Sequence, residues 1–349
     1  MTDVFTQPDW GLVAAPGTDP DRLAWVIATA GDPTQTAEQV FADWCHEGVR
    51  VALHGDPAYP VRLAVHDDAP PLLAVRGAWP PDVATVAIVG SRAATSYGRG
   101  IAAWLAEAAA LAGVHVVSGG ARGVDAAAHE AAVGVAGTTT VVLGCGHRVA
   151  YPRPHAAPGG LFTRIVEAGG GLVSEFLPGA PPRAHRVRAR NRIVSALADV
   201  VVVVEGGARS GTLLTATRAA EQGVTVLAVP GDVRAPGSAA PHRLLAEGAG
   251  VCAGPQDLLD VVALSGRARA VVESGDGAPH DGSPSVLTPD VRRVLADAWP
   301  RAVTVESLAR DSGLTAGALL AALTRARLAG EVAQDTEGIR LRRAPPNPH

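Results

Sequence analysis

The feature that most constrains this chain is an alternation of short apolar runs with Ala-rich helical stretches between residues 84 and 263. The apolar runs are rich in valine and are TVAIV (85–89), VHVVS (114–118), TTVVL (139–143), LVSE (172–175), DVVVVVE (199–205) and VTVLAVP (224–230). Continuous apolar strands that alternate with helices indicate a parallel sheet covered on both faces. The predicted fold class is therefore α/β, with a Rossmann-like, doubly wound and mostly parallel sheet.

Shorter units are predicted on both sides of this sheet. Weak amphipathic helices fit residues 20–29 and 36–48, and a stretch rich in Gly, Ser, Asp and Pro at 266–286 is typical of a linker. Three helical patterns followed by a β-ribbon predict a C-terminal winged helix. The predicted units are a small helical N-terminal region (1–75), the α/β domain (76–264), a linker (265–287), the winged helix (288–343) and a disordered tail (344–349).

The net charge and the residue composition exclude several classes of protein. The net charge of −4 excludes a globally basic nucleic-acid binder, so any basic site has to be local. All 30 basic residues are arginine, which excludes a Schiff-base lysine and a Walker lysine. The three isolated cysteines fit neither a zinc site nor a disulfide framework, and no signal peptide or membrane-spanning run is found. We therefore expect a cytoplasmic protein with no membrane partner, metal or cofactor.

Three loops should meet at the carboxyl edge of the sheet, where ligands bind in open parallel sheets. Each loop combines glycine, an arginine and the start of a helix, and these features together suit an anion. One such loop is explained by packing alone, but three on one edge favour a phosphate site. The residues concerned are Gly90, Ser91, Arg92, Gly119, Gly120, Arg122, Gly123, Ser210, Gly211 and Thr212.

A basic run, RAHRVRARNRIVS (183–195), precedes the fifth of these strands. No acidic residue lies between Glu175 and Asp199, which weakens the alternative of a solvated helix face. The candidate binding residues of the run are Arg183, Arg186, Arg188, Arg190, Asn191 and Arg192. Since Arg190 and Arg192 adjoin an apolar stretch, one of them is expected to be a buried structural arginine. The other three arginines are the freer candidates for phosphate contacts.

Known nucleotide signatures fit poorly. The chain contains no GxxxxGK[ST], and its Gly90-Ser91-Arg92 turn is not GxGxxG. Asp125, His129, Glu175, Glu205 and Asp232 are candidates for hydrolytic chemistry by location only. The residues alone therefore predict an anion-binding protein without assigning it a reaction.

Six stretches together resemble the DNA-processing protein A family (DprA, also called Smf). They are AIVGSRAATSYG (87–98), VVSGGARGVDAAAHEAA (116–132), TVVLGCGHRVAYP (140–152), LVSEFLPGAPP (172–182), RNRIVSALADVVVVVEGGARSGTLLTA (190–216) and VLAVPG (226–231). The resemblance covers nearly the whole α/β domain in the family's order, and the 288–343 unit is similar to the family's winged helix.

The resemblance implies a single-stranded DNA-binding protein of natural transformation and recombination. Members protect incoming strands and load the RecA recombinase, and the family is not known for an enzymatic reaction. A homodimer is a further implication. The family's usual Phe-Pro before Arg-Asn-Arg is replaced here by Val187-Arg188, so we expect phosphate charge to matter more than base stacking.

Two alternatives remain open. GARSGTLLTA (207–216) is similar to the GGxGTxxE signature of nucleoside-monophosphate phosphoribohydrolases, but Thr215 stands where that chemistry needs a carboxylate. The second alternative is a sequence-specific regulator that binds DNA through its winged helix. Its recognition helix would begin TAGALLAAL (315–323), which has no side chain suited to reading base edges.

Overall fold

The structure is a computed structural model that describes most of the chain. The described residues are 14–30, 37–265, 287–298, 301–314, 319, 322, 323, 326, 332–335 and 338–341. The predicted linker, apart from its two end residues, and the predicted tail lie outside them.

Nine strands form one sheet in the order β1-β2-β6-β5-β4-β3-β7-β8-β9. They are β1 (Val49–Leu53), β2 (Leu72–Gly77), β3 (Thr85–Val89), β4 (His115–Ser118), β5 (Thr139–Val142), β6 (Gly171–Ser174), β7 (Val200–Val203), β8 (Thr225–Ala228) and β9 (Gly250–Val251). Every pair from β6 to β9 is parallel, whereas β2 is antiparallel to both of its neighbours. The six strands predicted from the sequence and the mostly parallel sheet are confirmed.

Helices cover both faces of the sheet. They are α1 (Pro20–Ala30), α2 (Ala37–Glu47), α3 (Val61–Ala64), α4 (Ser96–Leu111), α5 (Val124–Gly134), α6 (Arg153–Ala156), α7 (Leu161–Glu167), α8 (Ala184–Ala189), α9 (Asn191–Ala196), α10 (Gly211–Glu221), α11 (Ala239–Ala246) and α12 (Pro255–Leu264). Alternate strand residues belong to two cores: Val200 and Val202 pack with α4, α5 and α12, and Val201 and Val203 pack with α9 and α10. This two-sided burial explains why the strands are apolar without alternation.

The N-terminal region contributes more than the two predicted helices. The helices are present as α1 and α2, but β1 and β2 then extend the sheet beyond β6. The sequence does not predict these strands, because the pairing of β2 with β6 joins segments about a hundred residues apart, as in Val75 opposite Val173. Local periodicity carries no information about such a partner.

The C-terminal unit has the elements of a winged helix. They are α13 (Pro289–Ala298), α14 (Val305–Ser312), β10 (Val332–Asp335) and β11 (Gly338–Leu341), with β10 and β11 antiparallel. Leu295, Leu308 and Ile339 share one apolar core with Leu323, a helical residue of the predicted third helix. Most of that third helix lies outside the described residues. In the described ranges, no helix combines the length and apolarity needed to cross a bilayer.

Three histidines are buried in the α/β domain. The ring of His115 lies between two threonine hydroxyls, at 2.9 and 2.8 Å. His129 Nδ1 is 2.7 Å from Thr139 Oγ1, and His147 Nε2 is 3.1 Å from the carbonyl oxygen of Leu172. Burial lowers the pKa of His115 to about 4, of His129 to about 3 and of His147 to about 4. All three rings are therefore neutral at pH 7 and belong to the fold.

Candidate nucleic-acid interface

The strand order places a cleft at the carboxyl edge of the sheet. From β3 the chain builds β4, β5 and β6 to one side, and then returns to add β7, β8 and β9 on the other. A crevice forms where the order reverses, between the loops that follow β3 and β7. This cleft has a volume of about 1230 Å³.

Most of the predicted site residues meet in this cleft. Those lining it are Gly90, Ser91, Arg92, Gly119, Arg183, Arg188, Arg190, Asn191, Ser210, Gly211 and Thr212. Arg122 lines a small recess that adjoins it. Neither hollow is lined by Gly120, Gly123, Arg186 or Arg192. The three loops and part of the arginine run therefore form one surface.

Four arginines around the cleft are exposed and uncommitted. Arg92, Arg183, Arg188 and Arg209 line it, and no side-chain hydrogen bond or ion pair engages them within the described part of the chain. Arg209 is absent from the candidates chosen from sequence, although it lies in the third loop. We call these four the cleft arginines. Their charge is free to meet an anion.

Arg190, in contrast, is part of the interior. Its side chain is buried, and Nη1 donates to the carbonyl oxygens of Gly119, at 2.6 Å, and Val142. Burial lowers the pKa of Arg190 to about 10, although the nearby carboxylate of Asp125 opposes that shift. Arg190 thus joins the ends of β4 and β5 to the junction of α8 and α9.

Arg192 is also committed to the fold. Its guanidinium makes two hydrogen bonds to the carboxylate of Glu175, at 2.8 and 2.6 Å, and a third to the carbonyl oxygen of Asp68 at 2.9 Å. The sequence predicts one structural arginine in this pair, and the structure places both in internal networks. The acidic partner escapes notice in the sequence because Glu175 lies seventeen residues upstream. Arg192 is therefore not free to bind a phosphate.

Arg186 is partly engaged as well. It is half-buried, donates to the carbonyl oxygen of Pro181 at 3.1 Å, and lies 5.5 Å from the ring centroid of Phe176. It does not line the cleft. The run of five arginines therefore divides into two cleft arginines, Arg183 and Arg188, and three that stabilise the fold.

Internal carboxylates distinguish the three helix starts. Glu205, after β7, accepts hydrogen bonds from the backbone N–H of Thr95 at 2.9 Å and from its hydroxyl at 2.5 Å, at the start of α4. Asp125, in the first turn of α5, accepts from the N–H of Ala121 at 3.2 Å. The first turn of α10 has no acidic residue and opens on the cleft. The hydroxyl of Ser210 accepts from the N–H of Thr212 at 3.2 Å, so the start of α10 faces the cleft without a carboxylate but with one of its N–H groups already paired.

Two glycines of the predicted loops are required for close packing. A side chain at Gly119 would collide with the guanidinium of Arg190, and one at Gly123 would collide with the carbonyl oxygen of Ser91. Gly123 also has a φ of +85°, which disfavours any other residue. These glycines hold the loops after β3 and β4 against each other and so shape the cleft.

We expect Arg190→Met to lower the free energy of unfolding by about 3 kcal/mol, since it leaves two buried carbonyls without their donor and Asp125 without its compensating charge. Urea denaturation measures the change. Arg188→Met is the matched control, because its side chain is exposed and uncommitted, and it should change stability by less than about 0.5 kcal/mol. Equal stability of the two variants would contradict a structural role for Arg190.

Comparison with known proteins agrees with the resemblance noted in the sequence. The family model described as DNA recombination-mediator protein A matches residues 50–263, which carry the sheet and the cleft. The chain belongs to this family. The family's winged helix domain matches residues 278–338.

Curated members of the DNA recombination-mediator protein A family are similar over much of the chain. Protein Smf of Escherichia coli is 37% identical over 82% of this chain and 76% of its own length. A putative DNA processing protein DprA of Mycobacterium tuberculosis is 40% identical over 70% of this chain, which spans 61% of that relative.

Solved structures of the family share the fold. The DNA processing protein A of Streptococcus pneumoniae is 34% identical, with a TM-score of 0.57 over 63% of this chain and 77% of its own. The Helicobacter pylori protein, described for its unique single-stranded DNA binding mode, is 26% identical, with a TM-score of 0.55 over 62% of this chain and 96% of its own.

Proposed function

We propose that this protein binds single-stranded DNA in the cleft at the carboxyl edge of the sheet. The observation that carries the proposal is the set of four cleft arginines, which face one concave surface and form no ion pair or side-chain hydrogen bond among the described residues. Arginine is well suited to phosphate, because its planar guanidinium donates two parallel hydrogen bonds. The start of α10, which has no acidic residue in its first turn, adds the positive end of its helix dipole to the same surface.

The walls of the cleft favour a single strand over a duplex. Val187, Leu213 and Leu214 line it together with the arginines. In a duplex the faces of the bases are stacked and closed to such walls, whereas a single strand presents them. The cations of the cleft therefore suit the phosphates of a single strand, and its apolar wall suits the exposed bases of that strand. The described single-stranded DNA binding of the Helicobacter pylori relative supports this choice.

In the cell, we propose that the protein protects single strands during natural transformation and recombination and loads the RecA recombinase onto them. This proposal rests on membership of the family and on relatives described as DNA processing proteins. The same reasoning favours a homodimer. Pull-down of purified RecA by the immobilised protein in the absence of DNA would test the partnership, because a strand in the assay would capture RecA by itself, and failure of RecA to associate would oppose it.

We propose a binding role without catalysis. Asp125 is the one acidic residue among the described residues that line the cleft, and it is buried. Thr215 lines the same cleft at the position where a phosphoribohydrolase would need its glutamate. Incubation with adenosine monophosphate separates the two functions, because release of free adenine would support the enzyme.

The deciding experiment for binding is a titration with single-stranded and double-stranded oligonucleotides of one sequence at several salt concentrations. We expect tighter binding of the single strand and a linear fall of log K with log salt. Preference for the duplex would instead favour the regulator that reads DNA through its winged helix.

Within that titration, Arg92→Ala should weaken single-strand binding by about 1–3 kcal/mol, because one charge-assisted phosphate contact is lost. Arg92 is exposed at the end of β3, so the melting temperature should stay unchanged. Arg218→Ala is the control: that exposed arginine pairs with Glu221 at 2.7 Å and does not line the cleft. Wild-type affinity in the Arg92 variant would remove this loop from the site.

A further inference from the structure

One aromatic side chain in the cleft has no role in the fold described so far. Tyr151 follows β5 and is 46% exposed. It lines the cleft, the small adjoining recess and a third groove that runs toward α6 and α7. Tyr151 therefore lies where the three hollows meet.

The adjoining recess is small, with a volume of about 60 Å³, and combines apolar residues with cations. Its apolar walls include Pro152, Pro182 and Val187, and its rim carries the exposed arginines Arg92 and Arg122. Apolar side chains suit the face of a nucleobase that lies over the mouth of the recess, and the two exposed arginines suit the phosphates on either side of that base.

The ring of Tyr151 is also unused by the fold. In the part of the chain that the structure describes, no ring contact, cation–π contact or hydrogen bond engages its ring or hydroxyl. Tyr97, which is exposed to a similar degree, differs because its hydroxyl donates to the carbonyl oxygen of Pro230 at 2.9 Å and it does not line the cleft. An exposed, uncommitted ring beside two cations is arranged to receive a ligand.

We propose that Tyr151 stacks on one base of the bound strand, while Arg92 and Arg122 hold the flanking phosphates. This rests on the proposed binding of single-stranded DNA in the cleft. It changes the expectation from the sequence that stacking contributes little because Val187 is not aromatic. The fold brings Tyr151 to the same recess as Val187 from a different loop.

The test compares an oligothymidylate with an abasic strand of equal length, which keeps the phosphates and lacks the bases. Tyr151→Leu should bind the oligothymidylate about ten-fold more weakly than wild type, in line with the loss of one stacked base. It should bind the abasic strand as wild type does, with an unchanged salt slope. Tyr151→Phe should keep wild-type affinity for both strands, and so should the control Tyr97→Leu.

Two outcomes would overturn the role of Tyr151. One is wild-type affinity of Tyr151→Leu for the oligothymidylate, and the other is an equal loss for both strands, which would indicate a disturbed fold. A fluorescent base analogue in the strand gives a second readout, because wild type should quench it on binding and Tyr151→Leu should not. If wild type binds neither strand, the proposed function itself fails, which is a different result from an unaffected Tyr151 variant.

Discussion

Replacing all four cleft arginines with alanine should lower single-strand affinity by at least about several hundred-fold at about 0.1 M salt. Each phosphate neutralised on a single strand contributes about −0.7 to the slope of log K against log salt, so four lost contacts should flatten the slope by roughly 3 units. Arg92, Arg183, Arg188 and Arg209 are exposed and uncommitted, and their loss should leave the free energy of unfolding nearly unchanged. Fluorescence anisotropy at several salt concentrations gives both the affinity and the slope.

A second variant separates local charge from net charge. Arg50, Arg164, Arg218 and Arg234 are exposed arginines outside the cleft, and their replacement with alanine removes the same number of charges. Its salt slope should stay within about 0.7 units of wild type. A similar loss of slope in both variants would mean that overall charge, and not this cleft, attracts the strand.

Acidification from pH 7.5 to 5 should cost the α/β domain about 4–6 kcal/mol of stability through His115, His129 and His147. Burial lowers the pKa of these side chains to about 4, 3 and 4, whereas in the unfolded chain they titrate near 6.5. Between those values the unfolded chain binds protons that the folded chain does not. The stabilisation is therefore fully present above pH 6.5 and is lost as the pH falls toward 4. Urea denaturation across this range measures the slope.

The size of the effect should follow the number of buried histidines. His129→Gln can keep a hydrogen bond to Thr139 and should remove about one of the three protons, and with it about a third of the pH dependence. Stability that does not vary from pH 7.5 to 5 would show that these histidines are solvated in the folded protein.

Much of this architecture could be read from local pattern. Six apolar runs predict six strands of the sheet, because residues buried on both faces leave no polar alternation. The Gly and Arg residues after β3, β4 and β7 predict loops that meet at one edge, because parallel strands place their carboxyl ends together. The helices and ribbon of the C-terminal unit follow from their periodicity.

Local pattern does not predict which side chains are free to bind a ligand, because that depends on partners that are distant in the sequence. The run from Arg183 to Arg192 looks uniform in the sequence. In the structure, however, Arg190 donates to the carbonyl oxygens of Gly119 and Val142. Arg192 donates to the carboxylate of Glu175. Glu205 closes the start of α4 from 110 residues away. Tyr151 reaches the cleft from a loop without any local signal of binding. Local sequence predicts which residues are buried and where the chain turns. Whether a charged or aromatic side chain is free to bind a ligand depends on the residues that contact it in the folded chain.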